Sequence, residues 1–116
     1  MTFYDMLGRP VAYADDGVHI FLFSGMPVGY LDSGSVWSYA GAHLGRFDDG
    51  WIRDNGGDAV FFTDNSSGGP LKPLKQLKPL KGLKQLKPLK SLRQMAPLRP
   101  SNTLGWSPLS GSQFFT

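Results

Sequence analysis

Four segments of the chain repeat one pattern: GRPVAY from Gly8, GMPVGY from Gly25, GAHLGRF from Gly41 and GDAVFF from Gly57, spaced 17, 16 and 16 residues apart. Five positions before each Gly stands Phe3, Ile20, Val36 or Ile52. Four before stand Tyr4, Phe21, Trp37 and, out of pattern, Arg53. Three after come Val11, Val28, Leu44 and Val60, and five or six after come Tyr13, Tyr30, Phe47 and Phe62. A second Gly follows at Gly17, Gly34 and Gly50, with Ser66 in the fourth copy. Internal repetition of this kind constrains the fold more than any single motif.

Each unit reads as an apolar run, a Gly turn, a second apolar run and another turn. β-branched and aromatic residues favour strands. The turn clusters ADDG, LDSG, FDDG and DNGG tolerate the positive φ of tight hairpins. A unit of about 16 residues holds two short strands and leaves no room for an ordinary helix. One hairpin cannot bury its apolar face, whereas four around a common axis can, and closure removes exposed edges. The expected fold is therefore all-β: a small closed, pseudo-four-fold barrel or flower of four hairpins and about eight short strands over residues 1–66. An open roll or tiny sandwich is the alternative. The fourth hairpin, without the Pro after its Gly and without the second Gly, departs most from the pattern.

The second feature is PLKPLKQLKPLKGLKQLKPLKSLRQ, from Pro70. From Leu71 to Pro100 the chain falls into triplets that begin with Leu, or once with Met95. On an α-helix a step of three turns 300°, so Leu would drift round the whole cylinder. Pro73, Pro79, Pro88 and Pro97 would break such a helix. A strand would alternate Leu between faces. Polyproline II, with three residues per turn, stacks Leu on one edge and Lys on another. Residues 67–103 thus read as an extended basic arm, followed by an apolar peptide over 104–116.

Charge divides the 116-residue chain in the same way. Residues 1–70 carry nine Asp against Arg9, Arg46 and Arg53, a net charge of −6. Residues 71–116 carry seven Lys, Arg93 and Arg99 with no acid, a net charge of +9. Such asymmetry suits an anionic partner or a tail folded on its own head. Cys is absent, so disulfides, thiolate metal sites and Cys nucleophiles are excluded. No apolar run approaches the ~20 residues of a spanning helix, and the start has no signal-peptide pattern. The expected location is cytoplasmic, with peripheral attachment at the inner face of the membrane.

His19 and His43 occupy non-equivalent repeat positions, and no spacing supplies a third metal ligand. The Asp residues at the turns, Asp15–Asp16, Asp32, Asp48–Asp49 and Asp64, are accounted for by turn chemistry, although four-fold symmetry would place them on one rim. No nucleophile–base constellation, phosphate loop or cofactor fingerprint is present. The expectation is a non-enzymatic binding module with no cofactor and no metal.

The repeated GRPVAY…DDG, GMPVGY…DSG and GAHLGRFDDG units resemble the four-fold β-flower domain of bacterial proteins. The Leu-Lys-Pro tail and the terminal GWSPLSGSQFF are similar to what some members carry. The resemblance implies a shallow symmetric barrel with an apolar central channel, loosely similar to tubby-type barrels that bind phosphoinositides. It implies no established activity.

The aromatic columns Tyr4, Phe21, Trp37 and Tyr13, Tyr30, Phe47, Phe62 are core packing or the lining of a channel for an apolar, lipid-like ligand. Leu71, Lys72, Leu74, Lys75, Leu77 and Lys78 represent the arm expected to meet a partner. Trp106, Phe114 and Phe115 would anchor at an interface or plug the channel. The favoured partner is an anionic membrane, reached by Lys attraction and Leu insertion. Nucleic acid ranks lower, because the arm has no aromatic to stack on bases and Leu has no task on phosphates. The remaining alternative is self-assembly, with the basic tail on an acidic head.

Overall fold

The computed structural model describes every residue except residue 110. Eight strands follow in chain order: β1 (Thr2–Tyr4), β2 (Pro10–Tyr13), β3 (His19–Leu22), β4 (Pro27–Asp32), β5 (Ser35–Trp37), β6 (His43–Asp48), β7 (Trp51–Asp54) and β8 (Ala59–Phe62). Each pairs antiparallel with the next, and β8 closes on β1 through Tyr4 opposite Phe62, giving a closed barrel. The four-hairpin all-β reading therefore holds, and the divergent fourth hairpin forms like the others.

The symmetry extends to backbone detail. Each repeat carries one register shift at the same place: Phe3/Tyr4, Ile20/Phe21, Val36/Trp37 and Ile52/Arg53. These irregularities raise local twist, which helps so few residues close a ring. In the turns between repeats, Ser33–Gly34 and Asp49–Gly50 both hold positive φ, the backbone a two-residue hairpin turn requires. The fourth repeat lacks that Gly. There Ser66 Oγ donates to the Gly50 and Thr63 carbonyls, so a side chain fixes the end of the last hairpin.

Strand alternation sorts the repeat positions onto two faces. Phe3, Ile20, Val36 and Ile52 point inward with Ala12 and Phe61, and form one core cluster that Val60, the residue skipped at the fourth register shift, also joins. The equivalent inward position four after the repeat Gly is Ala12, Gly29, Gly45 and Phe61, so three of the four places at this level carry little or no side chain. The chain's own C-terminus fills the space. A short 3₁₀ turn at Gly111–Phe115 buries Phe114 in the core. Phe114 meets Phe61 edge-on and Phe115 stacks on it, with ring centroids 5.8 and 5.7 Å apart. A Cβ on Gly45 would stand 3.1 Å from the Phe114 ring, so the missing side chain makes the space.

Residues 71–103 contain no helix or strand. They run round the outside of the barrel as a belt. Amides of Gln76, Gln85, Gln94 and Thr103 donate to the carbonyls of Gly8, Gly25, Gly41 and Gly57, at 2.8, 2.9, 2.8 and 3.1 Å. The belt therefore advances nine residues for each repeat of the head. Nine residues of polyproline II span ~28 Å, so four units make roughly 110 Å, about the perimeter of a disc 36 × 35 Å across. Trp106 completes the circuit: it bridges to Ala59 and packs edge-on against Trp51 at 5.7 Å.

Candidate functional site: the belt and the outer wall

The residues at positions four before and five after each repeat Gly point outward. They meet across neighbouring repeats as Tyr13 with Phe21, Tyr30 with Trp37, and Phe62 with Tyr4. The Tyr13/Phe21 and Tyr4/Phe62 rings are stacked, with centroids 6.0 and 5.3 Å apart. This corrects the channel assignment of Tyr4, Phe21, Trp37, Tyr13, Tyr30 and Phe62. The interior holds the alternate residues and Phe114, so these six belong to the wall beneath the belt. Phe47 is a separate correction. It lies six after its Gly, not five, so alternation turns it inward against Phe3 at 6.3 Å. Arg46 takes the outward place and faces Arg53 across the strands.

The belt lays its cations on this wall. Lys81 Nζ sits 4.3 Å from the Tyr13 ring centre and Lys90 Nζ 4.4 Å from that of Tyr30. Lys75 lies over Tyr4, and Arg93 over Trp37 at 4.9 Å. Ring faces carry negative quadrupole charge, which attracts an ammonium or guanidinium. The turn carboxylates take the same groups from the side. Lys75 reaches Asp64 at 2.5 Å, Lys81 and Lys84 reach Asp15 at 3.2 and 3.1 Å, Arg93 reaches Asp32 at 2.7 Å, and Arg99 reaches Asp48 at 2.5 Å. Asn102 adds an amide to Asp48 at 3.1 Å. The equivalent Asp of all four repeats is thus engaged by the belt, which turn chemistry alone did not reveal.

A nine-residue unit underlies the triplets. Lys75, Lys84, Arg93 and Asn102 recur at one position, and Gln76, Gln85, Gln94 and Thr103 at the next. The third quadrant differs in a consistent way. There the wall pair is Arg46 and Arg53, and the belt has the neutral Asn102 where Lys75, Lys84 and Arg93 stand in the other units. Arg46 donates to the Pro97 carbonyl, and Arg53 to those of Gly57 and Thr103. The belt thus meets this cationic wall through backbone carbonyls and a neutral side chain, while Arg99 is paired with Asp48.

Fit between belt and wall is tight. A Cβ on Gly8, Gly25 or Gly41 would fall 1.9, 1.9 or 2.0 Å from the carbonyl oxygen of Leu74, Leu83 or Leu92. Those three glycines also hold φ of 77°, 97° and 95°. The repeat Gly is therefore required twice, for its left-handed backbone and for the closeness of the belt.

With the cations turned inward, the Leu edge faces away from the head. Leu71, Leu74, Leu77 and every later triplet Leu to Leu98, with Met95, are each at least 92 % exposed. Of the tail residues expected to meet a partner, Lys72 instead donates to the Ser66 carbonyl and Lys75 binds Asp64. Among the described residues, Lys78 and Lys87 make no ion pair, hydrogen bond or ring contact. Trp106 and Phe114 are used by the head itself.

Electrostatics follow the geometry. The Lys84 and then the Lys81 ammonium hold the Asp15 carboxyl below its ordinary range, Arg93 does so for Asp32, and Lys75 for Asp64. Asp48 is lowered by the Asn102 amide first and by Arg99 after it. Depressed carboxylates stabilise the docked state above their unfolded value of ~3.9 and lose that contribution as pH falls through the lower folded value. Belt docking is expected to stay constant from neutral pH down to about 5 and to weaken below about 4. The amide signals of Gln76, Gln85 and Gln94, followed by nuclear magnetic resonance against pH, measure it. His43 is held neutral by burial. Its ring nitrogens bond Asn55 and Ser35 at 2.8 and 3.0 Å, a structural role. Among the described residues no group of three or more His, Cys, Asp or Glu is placed to hold a metal ion, and no helix is long and apolar enough to cross a membrane.

No curated protein and no solved structure matches the chain. The family model described as 4-fold beta flower protein matches residues 1–115, which takes in barrel, belt and terminal plug together. With four hairpins closed in a ring and the match running almost end to end, the chain belongs to the 4-fold beta flower family.

Proposed function

We propose that the protein is a non-enzymatic interaction module whose Leu belt docks at an anionic membrane interface. The observation that carries this reading is the belt's polarity: nine Leu and Met95 point outward at 92–97 % exposure. An uncovered apolar side chain at every triplet of a docked arm is surface available to a partner. Lys78 and Lys87, which follow Leu77 and Leu86 in the chain and make no head contact among the described residues, suit acidic lipid headgroups. A nucleic-acid role is less well supported, because seven of the nine tail cations already contact the head.

The reading makes a quantitative expectation that a free basic arm would not share. Two lysines at ~1 kcal/mol each favour anionic over zwitterionic vesicles by roughly 30-fold, whereas nine free cations would give a far larger ratio. Co-sedimentation of the full chain with phosphatidylserine-containing and with pure phosphatidylcholine vesicles measures this. Replacing Leu77, Leu80, Leu86 and Leu89 by Ser is expected to lower binding to both by at least about tenfold. Failure to bind either vesicle would remove the proposal, as would binding that survives the Leu changes.

A further inference from the structure

The wall beneath the belt reads its occupant by local rules. In each quadrant a repeat Gly carbonyl takes a backbone amide, and a turn carboxylate takes the side chain one residue earlier. In three quadrants an aromatic pair takes an ammonium or guanidinium as well. None of these contacts uses a Leu side chain, and none needs the occupant to be covalently attached. The belt joins the barrel through one short link over residues 66–70, where Gly68 holds φ +74° with open space around it, and through its C-terminal peptide.

We infer that the outer wall of the head is a peptide receptor for extended basic segments with a Lys-Gln or Arg-Gln step every nine residues, and that the tail of a second copy of this chain can replace the chain's own. The first three units of the tail, LKPLKQLKP, LKGLKQLKP and LKSLRQMAP, are near copies of one another, so each presents the same recognition step to any free quadrant. The attached tail has the advantage of effective concentration, in the millimolar range for a short tether, and excludes a competitor until it is weakened.

The test uses the full chain with its own belt disfavoured. Lys75→Glu, Lys84→Glu and Arg93→Glu together set carboxylates against Asp64, Asp15 and Asp32. A fluorescein-labelled synthetic peptide of residues 71–103 is then titrated by fluorescence polarisation. Saturable binding to the variant is expected, at least about tenfold tighter than to the unaltered chain and weakened when salt rises from about 0.05 to about 0.5 M. A scrambled peptide of the same composition is expected to bind at least about tenfold less well, because the nine-residue phase is lost. Absence of binding, equal binding to variant and unaltered chain, or equal binding of the scrambled peptide would each overturn the inference. If near-ultraviolet circular dichroism shows that the triple variant has lost its barrel, the single Lys84→Glu chain carries the same titration and the same criteria.

Discussion

Phe114→Ala is expected to destabilise the protein by about 3–5 kcal/mol, the range for removing a fully buried Phe from a core. The effect is large because Phe114 lies only two residues from the end of the chain yet is 3 % exposed among Phe3, Ile52 and Phe61. Gly29 and Gly45 of β4 and β6 face the terminal rings without a side chain, so little stands beside Phe114 to take up the space. Against a typical total of about 5–15 kcal/mol, this loss would leave the barrel marginal. Urea unfolding followed by tryptophan fluorescence measures it. Phe115→Ala, which removes a half-buried ring at the edge of the cluster, is expected to cost clearly less. A terminus that merely lay on the surface would give two small and similar values.

Gly25→Ala is expected to detach the belt from the second quadrant while leaving the strands paired. Two effects combine at this position. The φ of +97° is one that a residue with a Cβ rarely adopts, at a cost of about 1–2 kcal/mol. The new Cβ would also fall 1.9 Å from the Leu83 carbonyl oxygen and 3.3 Å from that of Gly82, both backbone atoms that cannot swing aside. The Gln85 and Gly82 amide bonds to the Gly25 and Phe23 carbonyls are then expected to break. Limited trypsin digestion should cut after Lys81 or Lys84 far sooner than in the unaltered chain. Gly17→Ala is the matched control. Its φ is +73°, but nothing stands within 4 Å of the added carbon. It should show the strain alone, with no change in belt cleavage.

Much of the barrel was legible because its repeats are short and nearly in phase. Gly8, Gly25, Gly41 and Gly57 mark equivalent turns, and a unit of that length admits only hairpins. The faces were harder to read. Tyr13, Tyr30 and Phe62 share an outward position, whereas Phe47 lies one residue further along and therefore on the opposite side, since a single step reverses orientation in a strand. The tail concealed its register for a different reason. Its triplet period is so regular that the longer nine-residue period, marked by Gln76, Gln85 and Gln94, is hidden beneath it. Its orientation also runs against the usual expectation that Leu seeks cover. The wall offers rings and carboxylates, which favour cations, and the apolar interior is already filled by Phe61, Phe114 and their neighbours. A plug was one of the roles the terminal aromatics offered, but which of Trp106, Phe114 and Phe115 enters the barrel was not legible, because the terminal peptide shares no repeat with the segments it packs against.

The central claim is that the tail is a docked belt in fixed phase with the barrel, and amide hydrogen exchange of the full chain tests it most directly. The account predicts slow exchange at Gln76, Gln85, Gln94 and Thr103, one amide in every nine, together with Gly82 and Ser91, while Lys78 and Lys87 exchange fast. Uniformly fast exchange across residues 71–103, with the strands of the barrel still protected, would contradict it.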